Sequence, residues 1–306
     1  MQGVAVEFAV DGDRADSELA TGADHSDGNL SSVGDQNFGK HVLLTSPMRP
    51  LNATPEPGIF AASEAAAAGA GFSTFQHVCS TGSTNTDLAN EARAGDHTPA
   101  VLVADHQTAG RGRLDRAWID DSVGQLMVSM RIPTQWAEPT LIGPAVAVLV
   151  RAVVAADGVP ALIKWPNDLC VPRRDGSVAK LAGYLGEFVD ASEPVVILGM
   201  GINVGSTPFD GSASVQSEGG SLGRDDILAA VLGGLRAMLA DPMRVRRELL
   251  AHSATVGRWV RVELTGGELV GEAVGLDDAG ALQVESEGRV HTISVGDVVH
   301  LRTTSD

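Results

Sequence analysis

The hydrophobic and polar positions divide the chain into three textures. Up to about residue 72 the apolar residues are scattered without a sustained helical or alternating period, and Gly, Ser, Asp, Asn and Pro recur, with Pro47, Pro50, Pro55 and Pro57 close together. A segment of this kind has no face to bury, which predicts disorder over much of residues 1–72. Residues 61–68 are Ala-rich and predict at most a brief helix, because alanine favours helix without supplying a face to pack.

From Phe75 the texture becomes a compact alternation of strands and helices. Residues 75–79 predict a strand, 80–86 a small polar turn, and 87–93 a helix closed by Gly95. Residues 99–104 and 125–132 predict two strong strands with a loop between them. Residues 143–156 are nearly continuously apolar and predict a buried helix. Strands are predicted at 161–164, 180–187 and 195–204, a hydrophilic hairpin at 172–177, a Gly/Ser-rich loop at 205–223, and helices at 224–239 and 243–252. Beyond Val256 five short strands (259–264, 268–274, 281–285, 289–294 and 298–301) alternate with hairpin turn material. They predict a small separate β-barrel at 254–306, after a main domain at 73–253.

Composition narrows the function classes. With 306 residues, 43% of them hydrophobic, the chain has room for about two domains and a normal core. The net charge of -17 argues against a general nucleic-acid binder, which needs a basic face. Residues 1–72 alone carry ten acidic side chains against three basic ones, an acidic leader. Cys79 and Cys170 are far apart and form no metal-ligand spacing, which fits a reducing compartment. The first residues lack the basic start of a signal peptide, and the 143–156 stretch is short for a membrane span and carries Arg151. A cytoplasmic protein with no membrane partner is expected.

Four polar groups interrupt this apolar framework. Three arginines and two glycines fall within residues 108–118: Arg111, Arg113 and Arg116 offer forked cations to phosphate oxygens, Gly110 and Gly112 allow close backbone approach, and Trp118 offers a flat surface for a base. The same composition also suits a solvated loop or a contact to single-stranded nucleic acid. Ser83, Thr84 and Asn85 stand where they can cap the following helix or bind the polar head of a small ligand. Lys164, Asn167 and Asp168 lie around a turn that Pro166 directs; the amide and carboxylate can bond their own backbone, or contact a nucleotide and a magnesium ion or a transferring proton. Lys180 stands at a strand entry, and Asn203 sits among hydrophobic neighbours, where an amide requires backbone or ligand partners.

Taken in order, Ser83-Thr-Asn85, Gly110-Arg-Gly-Arg-Leu-Asp-Arg-Ala-Trp118, Lys164-Trp-Pro-Asn-Asp168 with Lys180-Leu-Ala-Gly183, and Gly201-Ile-Asn-Val204 resemble the motifs of bacterial biotin protein ligases, from about Ser80 to the C-terminus. The resemblance implies an α+β fold: a class II synthetase-like catalytic domain, a mixed sheet with flanking helices, followed by an SH3-like barrel. It implies ATP-dependent conversion of biotin to biotinyl-5'-AMP, then transfer to one lysine of a biotin carboxyl carrier domain of an acyl-CoA carboxylase. By the same resemblance Ser83, Thr84, Asn85, Gln107, Gly110, Arg111, Gly112, Arg113, Lys180 and Gly183 belong to the biotin side. Arg111, Arg113, Arg116, Trp118, Lys164, Asn167, Asp168, Lys180 and Asn203 belong to the ATP side. Lys180, Arg113 and Asp168 are the implied catalytic residues, with Asp168 as a magnesium contact. Asp115 stands where the family usually has glycine. Some members carry a DNA-binding helix-turn-helix at the N-terminus; residues 1–72 show no paired helices, so a ligase without DNA binding is expected. Two other readings are a lipoate-protein ligase of the same fold and a non-catalytic biotin or biotinyl-AMP sensor. An octanoyl transferase would need a nucleophilic cysteine, and neither Cys79 nor Cys170 falls in such a motif.

Overall fold

The computed structural model describes residues 55–113, 116–118, 124–189, 192–205, 207, 211–264, 267–294 and 296–300. Most of the acidic leader, its expected lack of a DNA-binding domain, and Asp115 lie outside these residues.

A seven-stranded mixed sheet organises the chain, in the order β1-β2-β3-β7-β6-β5-β4. β1 (Thr74–Val78) runs parallel to β2 (Ala100–Ala104); every other pair, through β3 (Gln125–Pro133), β7 (Val195–Asn203), β6 (Val178–Val189), β5 (Asp168–Pro172) and β4 (Leu162–Lys164), is antiparallel. All nine residues of β3 are buried, which explains its unbroken apolar run: both faces of this central strand are covered. β5 was not expected, because Pro172 at its end and the polar hairpin beyond it mask a short buried run, Leu169 to Val171.

Helices α3 (Pro139–Ala156), α4 (Arg224–Leu239) and α5 (Pro242–Ala251) pack into the larger core on one face. α3 runs to 18 residues, four longer at its start than the apolar stretch suggested, with Pro139 in its first turn where a missing N–H costs nothing. It is apolar enough to cross a membrane, yet half of it is buried against the sheet and its neighbouring helices, as a core helix is. On the opposite face α2 (Thr84–Arg93) builds a smaller core from Leu88, Ala89 and Ala92 on Ala100, Leu102, Val195 and Ile197. α2 covers only part of that face and leaves the rest open.

The Ala-rich stretch corrects the expectation of a leader without a packing face. α1 (Ala61–Ala70) buries Ser63, Ala67 and Ala70, a stripe at helical spacing, and Phe60 and Phe72 at its ends enter the larger core. Its first turn has no side-chain cap of its own; Asp225 of α4 supplies one, accepting from Ser63 N at 2.8 Å and from Ser63 Oγ at 2.5 Å. Residues 60–72 thus pack with the main domain.

The C-terminal strands β8 (Trp259–Leu264), β9 (Gly267–Leu276), β10 (Leu282–Ser286), β11 (Arg289–Ile293) and β12 (Asp297–His300) form a five-stranded antiparallel sheet, ordered β11-β10-β9-β8-β12. It is tied to the main domain where the Trp165 indole N–H donates to the Gly280 carbonyl at 3.1 Å and the Trp165 backbone N–H donates to Thr255 Oγ1 at 3.1 Å.

Candidate functional site

The uncovered part of the sheet face becomes the floor of a cleft of about 350 Å3. Cross-strand register places Ser129, Gly199 and Leu185 in one row, Met127, Gly201 and Gly183 in the next, and Gln125 with Asn203 beyond them. Side chains alternate between faces along a strand, so these rows all belong to the face that α2 leaves open. Two glycines make the floor low. A Cβ on Gly199 would overlap the Asn85 amide, and one on Gly201 would overlap the Trp118 ring.

At one end the cleft is neutral and tightly bonded. The Ser83 to Asn85 turn opens α2, and Ser83, Thr84 and Asn85 are all buried. Ser83 makes no side-chain cap bond to the helix, although capping is the commonest use of such residues. Thr84 N donates to Gln107 Oε1 at 2.8 Å; the Thr84 and Ser129 hydroxyls lie 2.7 Å apart, and Ser129 Oγ donates to Asn85 Oδ1 at 2.6 Å. Asn85 Nδ2 donates to the Leu185 carbonyl at 3.3 Å. These groups orient one another before any ligand arrives.

The other end is charged. Lys180 Nζ lies 2.7 Å from Asp168 Oδ1 and 5.6 Å from the centre of the Trp118 ring. Asn167 donates to the Tyr184 carbonyl at 3.0 Å and accepts from Arg113 Nη1 at 3.4 Å. Arg113 also reaches the C-terminal sheet, at 3.3 Å from the Gly296 carbonyl and 3.5 Å from Asp297 Oδ1; Arg116 pairs with the other oxygen of Asp297. Burial pulls the Arg113 pKa down while Asp297 and Asp168 oppose the fall, and a guanidinium remains a cation throughout. Burial, with Asp168 beside it, drives the Tyr184 phenol far above its ordinary range; its O–H donates to the Pro166 carbonyl at 2.7 Å, so Tyr184 supports the turn as a fixed donor.

The Arg/Gly stretch folds back on itself between these ends. Arg111 and Ala117 form an antiparallel bridge, Gly112 N donates to Arg116 O at 2.6 Å, and Trp118 N donates to Gly110 O at 2.9 Å. Its base is therefore a small hairpin that places the Trp118 indole on the glycine floor. The indole N–H has no hydrogen-bond partner among the described residues.

Comparison with known proteins agrees with this architecture. Residues 78–203 match the model of the Biotin/lipoate A/B protein ligase family, and residues 255–301 match the Biotin protein ligase C terminal domain. A biotin--[acetyl-CoA-carboxylase] ligase of Mycobacterium tuberculosis is 38% identical over 253 residues, 77% of this chain and 92% of the relative. The chain belongs to the biotin protein ligase family. The bifunctional ligase/repressor BirA of Bacillus subtilis is 30% identical over 240 residues, 72% of this chain and 70% of the relative. The solved biotin protein ligase from Aquifex aeolicus in complex with biotin and ATP superposes with a TM-score of 0.63 at 25% identity, covering 76% of this chain and all of that one. The class II ligase catalytic fold with a small C-terminal β-sheet domain is the architecture of this chain.

Within that ligase fold, Ser83, Thr84, Asn85, Gln107, Arg111, Gly112, Arg113, Arg116, Trp118, Lys164, Asn167, Asp168, Lys180 and Gly183 all line the one cleft. Two expected site residues stand behind its wall. Gly110 serves the hairpin, since a Cβ there would press to 2.7 Å from the Trp118 carbonyl. Asn203 is buried: it accepts from Gln125 Nε2 at 3.1 Å and donates to the carbonyls of Ala213 at 3.0 Å and Lys180 at 3.4 Å. The amide thus bonds to the backbone that carries Lys180. Sequence reasoning missed Ser129, Tyr184, Leu185 and Asp297 as lining residues. Ser129 was legible as one hydroxyl in an apolar strand; Asp297 was not, because only the packing of the two sheets brings it to Arg113.

Proposed function

We propose that this chain is an ATP-dependent biotin protein ligase whose reaction takes place in the cleft. It converts biotin and ATP to biotinyl-5'-AMP and passes the biotinyl group to a lysine of a biotin carboxyl carrier domain. The observation that carries this reading is the polarity of the site: a buried neutral end of mutually bonded hydroxyls and amides faces a cationic end built from Lys180, Arg113 and Arg116. A neutral bicyclic urea with an anionic tail suits the first end and a triphosphate suits the second.

In the first step a biotin carboxylate oxygen attacks the α-phosphorus, the bond from that phosphorus to the bridging oxygen of the β-phosphate breaks, and pyrophosphate leaves. Both partners are anions, so fixed positive charge in the cleft lowers the barrier. We assign that role to Lys180 and Arg113, with Arg116 on the polyphosphate, Lys164 beside it, and Asn167 and Trp118 at the nucleoside. Ser83, Thr84, Asn85 and Gln107, with the backbone near Gly183, hold the ureido ring and the biotin tail. In the second step the carrier amine attacks the anhydride carbonyl, the bond to the AMP oxygen breaks, and an amide forms as the nitrogen loses a proton. A free lysine amine has a pKa of about 10.4, so a carboxylate acceptor helps, and Asp168 is the group we assign.

Among the described residues no three His, Cys, Asp or Glu side chains converge to hold a metal, and Asp168 already forms an ion pair with Lys180 at 2.7 Å. One carboxylate next to phosphates suits magnesium that arrives with ATP rather than a resident ion. We place the enzyme in the cytoplasm, in keeping with the free thiols of Cys79 and Cys170; burial pushes the Cys170 thiol up to about 11, which makes it a packing residue.

Exchange of labelled pyrophosphate into ATP tests the assignment. Biotin-dependent exchange supports the ligase, lipoate-dependent exchange supports a lipoate-protein ligase, and biotin binding without exchange supports a sensor.

A further inference from the structure

Beyond the neutral end of the cleft, behind its lining, stands a buried carboxylate that neither substrate explains. Glu187 lies on β6, two residues beyond Leu185 on the same sheet face and in register with Ile197. Its side chain is only 9% exposed, yet it is bonded at both oxygens: Oε1 accepts from Arg93 Nη2 at 2.5 Å, and Oε2 accepts from Arg111 Nη1 at 3.3 Å. Arg93 belongs to the last turn of α2, the helix whose first turn carries Thr84 and Asn85. Arg111 is half of the bridge that closes the base of the Arg/Gly hairpin. One carboxylate therefore ties the far end of the helix at the neutral pole to the root of the loop that presents Arg113, Arg116 and Trp118.

On the ligase reading given above, we propose that Glu187 is a positioning residue of the reaction, and that Arg111 acts through it rather than on either substrate. A buried carboxylate with two guanidinium partners is costly to leave half-paired, which makes the join stiff in a way that an exposed pair is not. The paired Arg111 is held away from the phosphate role that its place in the motif suggests, and Arg113 and Arg116 are the loop cations left for the nucleotide. Loosening the join tilts α2 relative to the hairpin, which weakens the fit of biotin and the retention of biotinyl-AMP without altering Lys180.

Arg93 provides the sharpest test, because among the described residues it does not line the cleft and meets the site through Glu187. With the full chain, Arg93→Gln, Arg111→Gln, Glu187→Gln and the two double variants pairing Glu187→Gln with each arginine change are compared in biotin-dependent pyrophosphate exchange, with melting curves to confirm folding. The expected result is a KM for biotin raised about threefold in Arg93→Gln and about tenfold in Glu187→Gln and Arg111→Gln. The kcat for adenylation should stay within about threefold, and neither double variant should be worse than its more impaired single parent. More free biotinyl-AMP should escape before transfer. Losses that multiply in the Arg111 double variant mean that Arg111 meets substrate directly and overturn the inference, as does an Arg93→Gln enzyme with unchanged biotin KM. If Glu187→Gln does not fold, the Arg93→Gln and Arg111→Gln pair decides by the same rule. Absence of biotin-dependent exchange in the unmodified chain instead overturns the ligase reading, and the inference falls with it.

Discussion

The two ends of the cleft are stabilised differently. At the neutral end Thr84, Asn85, Ser129 and Gln107 are bonded to one another at 2.6 to 2.8 Å, and three of the four are buried. At the charged end Lys180, Arg116 and Asp168 are partly exposed; Lys180 pairs with Asp168, while Arg113 and Arg116 take their partner, Asp297, from the other sheet. Buried neutral networks keep their geometry whatever the ionic strength, whereas half-exposed ion pairs contribute little to stability and exchange partners easily. One end is therefore suited to selecting a shape. The other is suited to trading internal anions for the phosphates of a substrate.

The largest effect expected from this contrast is at Lys180. Lys180→Ala should leave the fold intact, because the side chain is 46% exposed, and should lower single-turnover formation of biotinyl-AMP by about 100- to 1,000-fold. Near-normal adenylate synthesis in that variant would remove Lys180 from the chemistry. Thr84→Val attacks the opposite end: it keeps the shape but deprives Ser129 and Gln107 of a partner. Biotin KM should rise about tenfold with little change in kcat, together with a loss of about 1 to 3 kcal/mol in stability by denaturant titration. An unchanged denaturation midpoint would show that the network does not hold this end of the cleft rigid.

Asp297→Asn sharpens the exchange of anions. It removes the internal competitor from Arg113 and Arg116, so the KM for ATP should fall about threefold at low salt, with a smaller difference at high salt. A raised KM would mean that Asp297 instead organises the loop for ATP. The smallest effect is at His300, whose ring lies 3.3 Å from Thr255 Oγ1 at the seam between the sheets. Burial, with Lys164 and Arg258 nearby, lowers its pKa to about 4. The unfolded chain then binds the extra proton at a pH where the folded one does not. His300 thus supports stability fully above about pH 6.5 and loses that support as pH falls toward 4. Across that window the melting temperature of the unmodified chain should drop about 3 °C more than that of His300→Gln.

Most strands and helices were legible because their apolar runs are long and bounded by Gly, Pro and polar turns, as in β3, β7 and α4. α1 was legible only as a brief helix over residues 61–68, without its packing face, because the partners that cap and cover it lie about 160 residues away on α4. The motif residues were legible by type, yet their type did not separate the residues that face the cleft from those that support it. Arg111 and Arg113 are equivalent in the linear motif; in three dimensions one meets Glu187 and the other Asn167 and Asp297. For Asn203 the sequence leaves backbone and ligand partners open; in the structure its amide donates to the carbonyls of Lys180 and Ala213.

By itself the sequence determined the alternation of strands and helices, the small C-terminal β-rich unit and the chemical inventory of the site, because periodicity and residue type are local properties of the chain. Tertiary structure decided which face of the sheet stays open, that glycines at 199 and 201 lower its floor, and which carboxylates neutralise which arginines. These depend on cross-strand register and on the packing of the two sheets, where a shift of a few ångströms decides whether a charge faces an ion partner, a substrate or water.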